Sequence, residues 1–556
     1  MLRKLIKIVI IVAFIIIGVF KLTEWYLESE FETILNNNPD RNYNISYKQF
    51  DLHTFFTGIT LKEVNITPVN KTSGTVINGT VDFAELNGFE WLKFLFEQQV
   101  EVDALVFNQP KFVVNSIDDK KEEKRAANLQ NLFGDILSRV DLREFQLHEG
   151  SVKLLEKDST LKGQIHRIDI NATEIKTDSI QLSHIIPFYL GNLEVSIDSA
   201  YYNINSYTKV TMGALEYSIA QESLRIQDLA LKYDKNWVTV SENREFQDDV
   251  IEFELKEVSV TKMNYASSFW TNLDIEAQSM DIDGLHLSLK RNKNLRRSPD
   301  KAKPLFNGMV NKIPYNIDLD SINIKNSTIL YGELGAGRHQ TGIIAINAIN
   351  GSITQLTTFK ERKQKLKEFR GSFAAKLNGS AKMQISLEIP YQSEYFDLHT
   401  SIGPMPFKAL NKSLVPLLGV EFNDGELKRL DFKMQSNYYE SKNRLEMDYD
   451  NMQLSIYEEE NDGSEHKKDF LSSIANVAIR HHNLPDKHGY ITADYTTKRN
   501  IYRSPFQHIV AGVLDGTKQI VPAKVVQTFI NSKQKKKDRK KREKRQKNKK
   551  RKRNKK

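Results

Sequence analysis

The residues whose types and spacing come nearest to doing chemistry are His481, His482, Asp486 and His488 in RHHNLPDKH. A proline-containing turn there could gather imidazoles and a carboxylate around a divalent cation. Adjacent histidines usually point apart, so a solvated loop following a helix that ends near Arg480 is the preferred reading. Gly332, Gly335 and Gly337 in GELGAGRH could cradle an anion. No strand feeds directly into a helix at that point, however, and a hairpin tip accounts for the glycines better. Lipase-type G-x-S-x-G, phosphate-loop G-x-x-x-x-G-K and metalloprotease H-E-x-x-H sequences are absent. The chain also lacks cysteine, which removes disulfides, thiolate metal sites and cysteine nucleophiles. Sequons at Asn65, Asn78, Asn171 and Asn350 are expected by chance in an Asn-rich chain. The sequence reads as a non-enzyme with no catalytic, cofactor or metal residues assigned.

Charge is the other available chemistry. Formal net charge is +9, yet residues 533–556 hold 18 Lys and Arg against 2 acids, so the rest of the chain is mildly acidic. Lys535, Lys536, Lys540, Lys541, Arg551 and Arg553 represent a polyelectrolyte suited to anionic lipid headgroups or polyanionic glycans. Single-stranded nucleic-acid platforms combine basic grooves with aromatic rings, and the tail has none, which argues against nucleic acid. A purely solubilising tail is the alternative.

The elements that would position such a protein begin with an apolar run from Ile8 to Phe20, preceded by Arg3, Lys4 and Lys7. Roughly 20 apolar residues cross a bilayer core. Snorkelling by Lys7 and Lys21 extends the usable segment to about Leu2–Leu22, with Trp25 and Tyr26 as an interfacial belt. No Ala-x-Ala-type cleavage site follows, so an uncleaved anchor is favoured over a cleaved signal. Basic residues before the span, and Glu24, Glu28, Glu30 and Glu32 after it, place the N-terminus in the cytoplasm and the bulk outside.

From Ile45 onward apolar residues alternate with polar ones, which is strand periodicity. A particular pattern recurs, with apolar residues at offsets 0, 2, 5 and 7, a turn-former near 10 and an apolar residue at 12. Val100, Val102, Leu105, Phe107, Pro110 and Phe112 fit it, as do Val140, Leu142, Phe145, Leu147, Gly150 and Val152. So do Ile317, Leu319, Ile322, Ile324, Ser327 and Ile329. Related sets start at Phe253 and at Ile275, the latter with Gly284 one place early. The step of three between offsets 2 and 5 predicts a β-bulge or bend, and the turn-former predicts reversal into a hairpin partner. Helical patterns are few: Lys121–Val140, Glu90–Gln98, Leu356–Phe369, Phe407–Leu418 and Phe470–Arg480. Charged stretches at Arg291–Pro304 and Glu458–Asp469 read as exposed loops.

These features resemble the AsmA-like family of membrane-anchored bacterial envelope proteins. ISYKQFDLHTFFTGITLKEVNIT is similar to that family's first hairpin, and VEVDALVFNQPKFVV to its strand-proline-strand segment. INIKNSTILY resembles its repeated strand-turn-strand, and PFKALNKSLVPLLGVEFNDGELKRLDFKMQSN its helix-glycine-strand passage. The likeness covers most of residues 1–520; Arg499–Val521 and the tail match no pattern of the family. It implies a long, bent β-sheet with an apolar groove, no enzyme activity, and phospholipid handling between inner and outer membranes.

The expected fold is therefore mainly β. A cytoplasmic stub and transmembrane anchor (1–28) precede β-rich regions at 33–290 and 305–521 and a disordered basic tail at 533–556. From the residues alone, the apolar face of the sheet could close as a sandwich or stay open to acyl chains; the resemblance favours an open groove. Its expected lining is Leu105, Phe107, Phe145, Leu147, Ile322 and Ile324, sharing one sheet face. The expected partners are membrane lipids, and the expected location is the inner membrane with the bulk in the periplasm. The rival is an envelope scaffold in which a closed sheet carries nothing while anchor and tail tether two layers. A topology reporter fused after Ser532 should be active only on the exported side; activity confined to the cytoplasm would reverse the orientation.

Overall fold

A computed structural model describes residues 2–37, 41–53, 57–69, 75–97, 100–116, 140–175, 190–264, 274–459, 465–467 and 478–522. The expected helix at Lys121–Val140, nearly all of that at Phe470–Arg480, and the basic tail lie outside these residues. The described chain divides into two units, residues 1–234 with 254–281 and 315–317, and residues 235–253 with 282–314 and 318–556.

The first unit starts with helix α1 (Leu2–Leu35), whose apolar side chains between Ile10 and Leu22 are largely exposed. It is long and apolar enough to cross a membrane. At 34 residues it runs about 50 Å against a hydrocarbon core of about 30 Å, so its C-terminal turns extend past a span. Those turns carry Leu27, Phe31 and Leu35, one helical face at four-residue spacing, and all three are buried in the core of the unit. The same continuous helix thus offers apolar side chains outward between Ile10 and Leu22 and to the β-sheet from Leu27 to Leu35.

That sheet comprises β1 (Tyr43–Ser46), β2 (Gln49–Leu52), β3 (Gly58–Pro68), β4 (Thr75–Asn87), β5 (Val100–Asn108), β6 (Lys111–Ser116), β7 (Val140–Leu155), β8 (Leu161–Thr173), β9 (Asn192–Asn205), β10 (Thr208–Met212), β11 (Leu215–Ser218) and β12 (Ser223–Tyr233). Short helix α2 (Trp91–Glu97) joins β4 to β5 where the sequence predicts a helix. Pairing is antiparallel except that β5 and β6 both run parallel to β7. A parallel pair needs a crossover of a dozen or more residues, and the chain between Ser116 and Val140 is long enough to supply one. β13 (Val250–Asn264) and β14 (Ile275–Asn292) each contain one of the boundaries between the units.

The second unit contains β15 (Ile317–Leu334), β16 (Thr341–Thr357), β17 (Glu368–Leu377), β18 (Ala381–Pro390), β19 (Tyr395–Ile402), β20 (Met405–Pro406), β21 (Val420–Asn437), β22 (Glu440–Glu459), β23 (Glu465–Lys467) and β24 (Ala493–Lys498). They form an antiparallel succession, with β19 pairing β21 and β22 pairing β24. The helices expected near Leu356–Phe369 and Phe407–Leu418 are present as Lys360–Leu366 and as a 3-10 turn leading into Asn411–Leu418. Gly335–Gln340 is the tip of the β15–β16 hairpin, as the glycines suggest. The mainly β class, with an apolar N-terminal helix and a few short helices, is as the sequence predicts.

The recurring pattern is built differently from the expectation. Inside the expected step of three, the β5–β7 pairing leaves out Asp103 and Arg143 between Val102–Leu142 and Ala104–Glu144. In the next step of three the register itself shifts, between Leu147 and Gly150 in β7–β8 and between Ile324 and Ser327 in β15–β16. At this point a left-handed residue stands at offset 9: Gln109, Glu149, Lys262 and Asn326 have φ of 50 to 54°, and Gly284 has φ 69°. Glu63, Asp228 and Asn451 hold the same conformation between apolar residues at positions −4, −2, +1 and +3, and Arg167 holds it between Ile165, Ile168 and Ile170 with Gly163 at position −4. Nor does the chain reverse, since β7 runs straight through Gly150 and β15 through Ser327. A two-residue hairpin turn of the favoured type needs φ above zero at both central residues, and here only one residue has it. One left-handed residue inserts one extra position, bends the strand and returns the apolar side chains to the same face.

Ala348 (φ 49°) is exposed and takes this conformation without glycine. Ala348→Gly is expected to be neutral or slightly stabilising, and Ala348→Val to destabilise by about 1–2 kcal/mol in chemical denaturation. Equal stability of the two variants would show that the bulge carries no backbone strain.

Candidate functional site

Residues directly opposite on neighbouring strands share a sheet face. In the first unit the pairings connect Phe50 to Leu61, Ala84, Phe107, Leu147, Ile170, Val195, Tyr217 and Leu224 in turn, one apolar row across β2, β3, β4, β5, β7, β8, β9, β11 and β12. Burial changes along this row. Phe50, Leu61, Ala84, Phe107 and Leu147 are 6% exposed or less, whereas Ile170, Val195, Tyr217 and Leu224 are only half-buried. An adjacent row behaves like its open half: Ile168, Ile197, Leu215 and Ile226 face one another and are all half-buried.

The cover over the closed half comes from helices. Phe31 of α1 sits among Phe50, Phe89 and Phe94, with ring centroids 5.6, 6.1 and 5.5 Å away, and Phe94 belongs to α2. Such ring pairs add modestly to the apolar area they bury. The opposite face of the same strands is charged and wet, with exposed cross-strand pairs such as Lys62–Asp51 (2.8 Å) and Lys232–Glu254 (2.6 Å). These contribute little stability and serve mainly to mark which face meets water.

Leu105 lies opposite Phe145 and Phe107 opposite Leu147, so these four expected lining residues form one patch, with the Phe107 and Phe145 rings 5.6 Å apart. All four are buried within the closed part of the face. Ile322 and Ile324 belong to the second unit, where they oppose Ile353 and Gly351. There the row Ile324, Gly351, Phe373, Ile385, Thr400, Phe432, Leu445, Ala493 crosses β15, β16, β17, β18, β19, β21, β22 and β24. Its first five members are half-buried and its last three buried.

The buried end lies under a helix that the sequence reading did not foresee, Pro505–Ile520. It approaches the strands through glycines: a Cβ on Gly512 would meet Phe432 at 2.9 Å, and one on Gly516 would meet Leu445 at 2.7 Å. The signal was present, because Ser504 accepts a hydrogen bond from the Gln507 N–H as an N-cap and Pro505 occupies the first turn. In each unit, then, one stretch of the apolar face lies under a helix and another is only partly buried.

Other candidate groups come together less. His481 Nδ1 donates to the Met452 carbonyl (2.8 Å), while His482, Asp486 and His488 are exposed. Among the described residues, no three His, Asp or Glu side chains converge on a metal-sized site. Lys535, Lys536, Lys540, Lys541, Arg551 and Arg553 lie outside the described residues.

No family model matches the chain, and no curated protein matches it. What the architecture supports is the coarser description: a β-sheet protein with one N-terminal helix able to serve as a membrane anchor.

His508, on the helix over the buried end of the second unit's row, is buried, and among the described residues neither ring nitrogen has a hydrogen-bond partner. Burial pushes its pKa down to about 4, with Arg499 adding to the effect and Asp515 opposing it. The folded protein holds the ring neutral while the unfolded chain takes up a proton below about pH 6.5, so stability falls as pH drops from about 6.5 to 4. His508→Leu should abolish that part of the acid sensitivity, and its advantage over wild type should grow by about 3 kcal/mol between pH 7 and 4. A pH-independent difference would mean that His508 stays accessible to protons in the fold.

Proposed function

We propose that this chain is a non-enzymatic, membrane-anchored protein of the bacterial cell envelope whose apolar sheet faces hold the acyl chains of phospholipids. In this reading α1 fixes it in the inner membrane with the bulk in the periplasm. The protein then handles phospholipid between inner and outer membranes and supports maintenance of the outer membrane, as in the AsmA-like proteins it resembles.

The observation that carries the reading is the row from Phe50 to Leu224. A closed sandwich would bury such a row along its whole length, whereas here the described residues go from 6% exposed or less as far as Leu147 to only partial burial from Ile170 on, with Ile170, Val195 and Tyr217 packed partly against the core. Exposed apolar area costs roughly 25 cal/mol per Å² relative to burial, so a half-covered row of Ile, Val, Tyr and Leu gains by meeting acyl chains. Acyl chains suit the site because they need no hydrogen-bonding partners, and the half-buried rows present almost purely hydrocarbon side chains. The charged outer face keeps the other side of the same strands in water.

The test places a carboxylate at each end of one row and measures bound lipid in the full chain, extracted in detergent, by native mass spectrometry. Leu224→Asp should fold with near-normal melting temperature and retain less phospholipid, because water can solvate the charge once lipid leaves. Phe107→Asp, in the sealed part, should lose on the order of 4 kcal/mol or more and fail to accumulate. Arg225→Gln on the charged face should change neither property. If the wild type carries no phospholipid and Leu224→Asp unfolds as Phe107→Asp does, the face is closed and the protein is a scaffold tethering envelope layers through its anchor and tail.

A further inference from the structure

The helix Pro505–Ile520 is amphipathic the wrong way round for a helix whose only task is to cover a sheet. Its buried face consists of Pro505, His508, Gly512, Gly516 and Ile520, small or polar apart from the last. Its outward face carries Phe506, Val510 and Leu514 at four-residue spacing, 60, 54 and 51% exposed. Phe506 touches Phe306 edge-on at 5.3 Å and is still mostly uncovered. Three large apolar side chains in line on the solvent side of a helix mark a surface that meets something apolar.

The sequence beyond the helix says what. Ten residues separate Pro522 from Lys533, a stretch that spans up to about 35 Å. Residues 533–556 then carry 18 Lys and Arg against 2 acids. A single apolar patch binds a bilayer only weakly, and so does a polybasic stretch; stable attachment takes the two together. We propose that the stripe Phe506–Val510–Leu514 docks into the interface of a phospholipid bilayer bearing anionic lipid, with the basic segment that follows holding its headgroups. This rests on the proposed function only for the chain being anchored through α1. It gives the second unit its own membrane contact, and the stripe is a second lipid-facing surface distinct from the half-buried rows.

The test uses the full chain held by α1 in phosphatidylcholine nanodiscs and floated with vesicles of phosphatidylcholine alone or mixed with phosphatidylglycerol. Capture by the mixed vesicles only, falling with added salt, is expected. Phe506→Ser/Val510→Ser/Leu514→Ser should reduce capture by about tenfold or more with an unchanged melting temperature, and Val510→Ser alone by a smaller factor. Retention of phospholipid in native mass spectrometry should be the same in these variants, which separates failure here from failure of the proposed function. Capture by the triple variant equal to wild type would mean that the basic segment alone suffices for any polyanion, and would overturn the proposal. So would absence of capture by the wild type, or a dimer of the wild type that the triple variant loses. A rise in capture on deleting residues 523–530 would put that segment on the stripe and overturn it as well.

Discussion

An apolar sheet face cannot be left against water, and that constraint shapes every other feature of this chain. Antiparallel strands with hydrocarbon on one side and charge on the other must find a cover, and a protein has few choices: a second sheet, helices, or something that is not protein. Here helices cover part of each unit's face. α1 and α2 close over Phe50 and its neighbours, and Pro505–Ile520 closes over Phe432 and Leu445. Between Ile170 and Leu224 in one unit, and between Ile324 and Thr400 in the other, the cover is incomplete.

The device that makes so long a face possible is the single left-handed residue placed within one strand after another. Without it, a bent strand of 16 or 18 residues would send half of its apolar side chains to the charged side. Glu149, Arg167 and Asn326 accept a backbone conformation uncommon for non-glycine residues, and the apolar row resumes beyond them. The bulge residues also meet one another on the outer face. Gln109 Nε2 donates to Glu149 Oε2 at 3.0 Å, and Arg167 lies 3.6 Å from the same carboxylate, so the bends of neighbouring strands are held in line.

Much of this was legible in the sequence, and the failures are instructive. Strand periodicity and the anchor could be read directly because both depend on local alternation or on a run of apolar residues. The step of three was visible, but each copy contains two such steps, and only the second coincides with a left-handed residue, at offset 9. Most left-handed positions are occupied by Glu, Gln, Arg, Lys, Asp and Asn rather than by a glycine that would announce them; Gly284 does so, as does Gly425 in β21. Leu105, Phe107, Phe145 and Leu147, expected to line a groove, share a face in the core, where α1 docks through Leu27, Phe31 and Leu35 in a long-range contact. The half-exposed members, such as Val195 and Ile226, have the same residue types as buried ones. Cover is a tertiary property, which composition does not record. Pro505–Ile520 was missed for a related reason: glycines at the helix–sheet contact and apolar residues on the outside invert the usual pattern, although Ser504 and Pro505 mark its start.

The central claim is that the half-buried rows meet acyl chains. Its most direct test is a photoreactive phenylalanine analogue placed singly at Leu224, Ile226 and Arg225 of the full chain and irradiated in native membranes. Phospholipid adducts at Leu224 and Ile226, with none at Arg225 on the charged face, are the predicted result. Protein adducts alone at Leu224 and Ile226, or lipid adducts of equal yield at all three positions, would contradict the account.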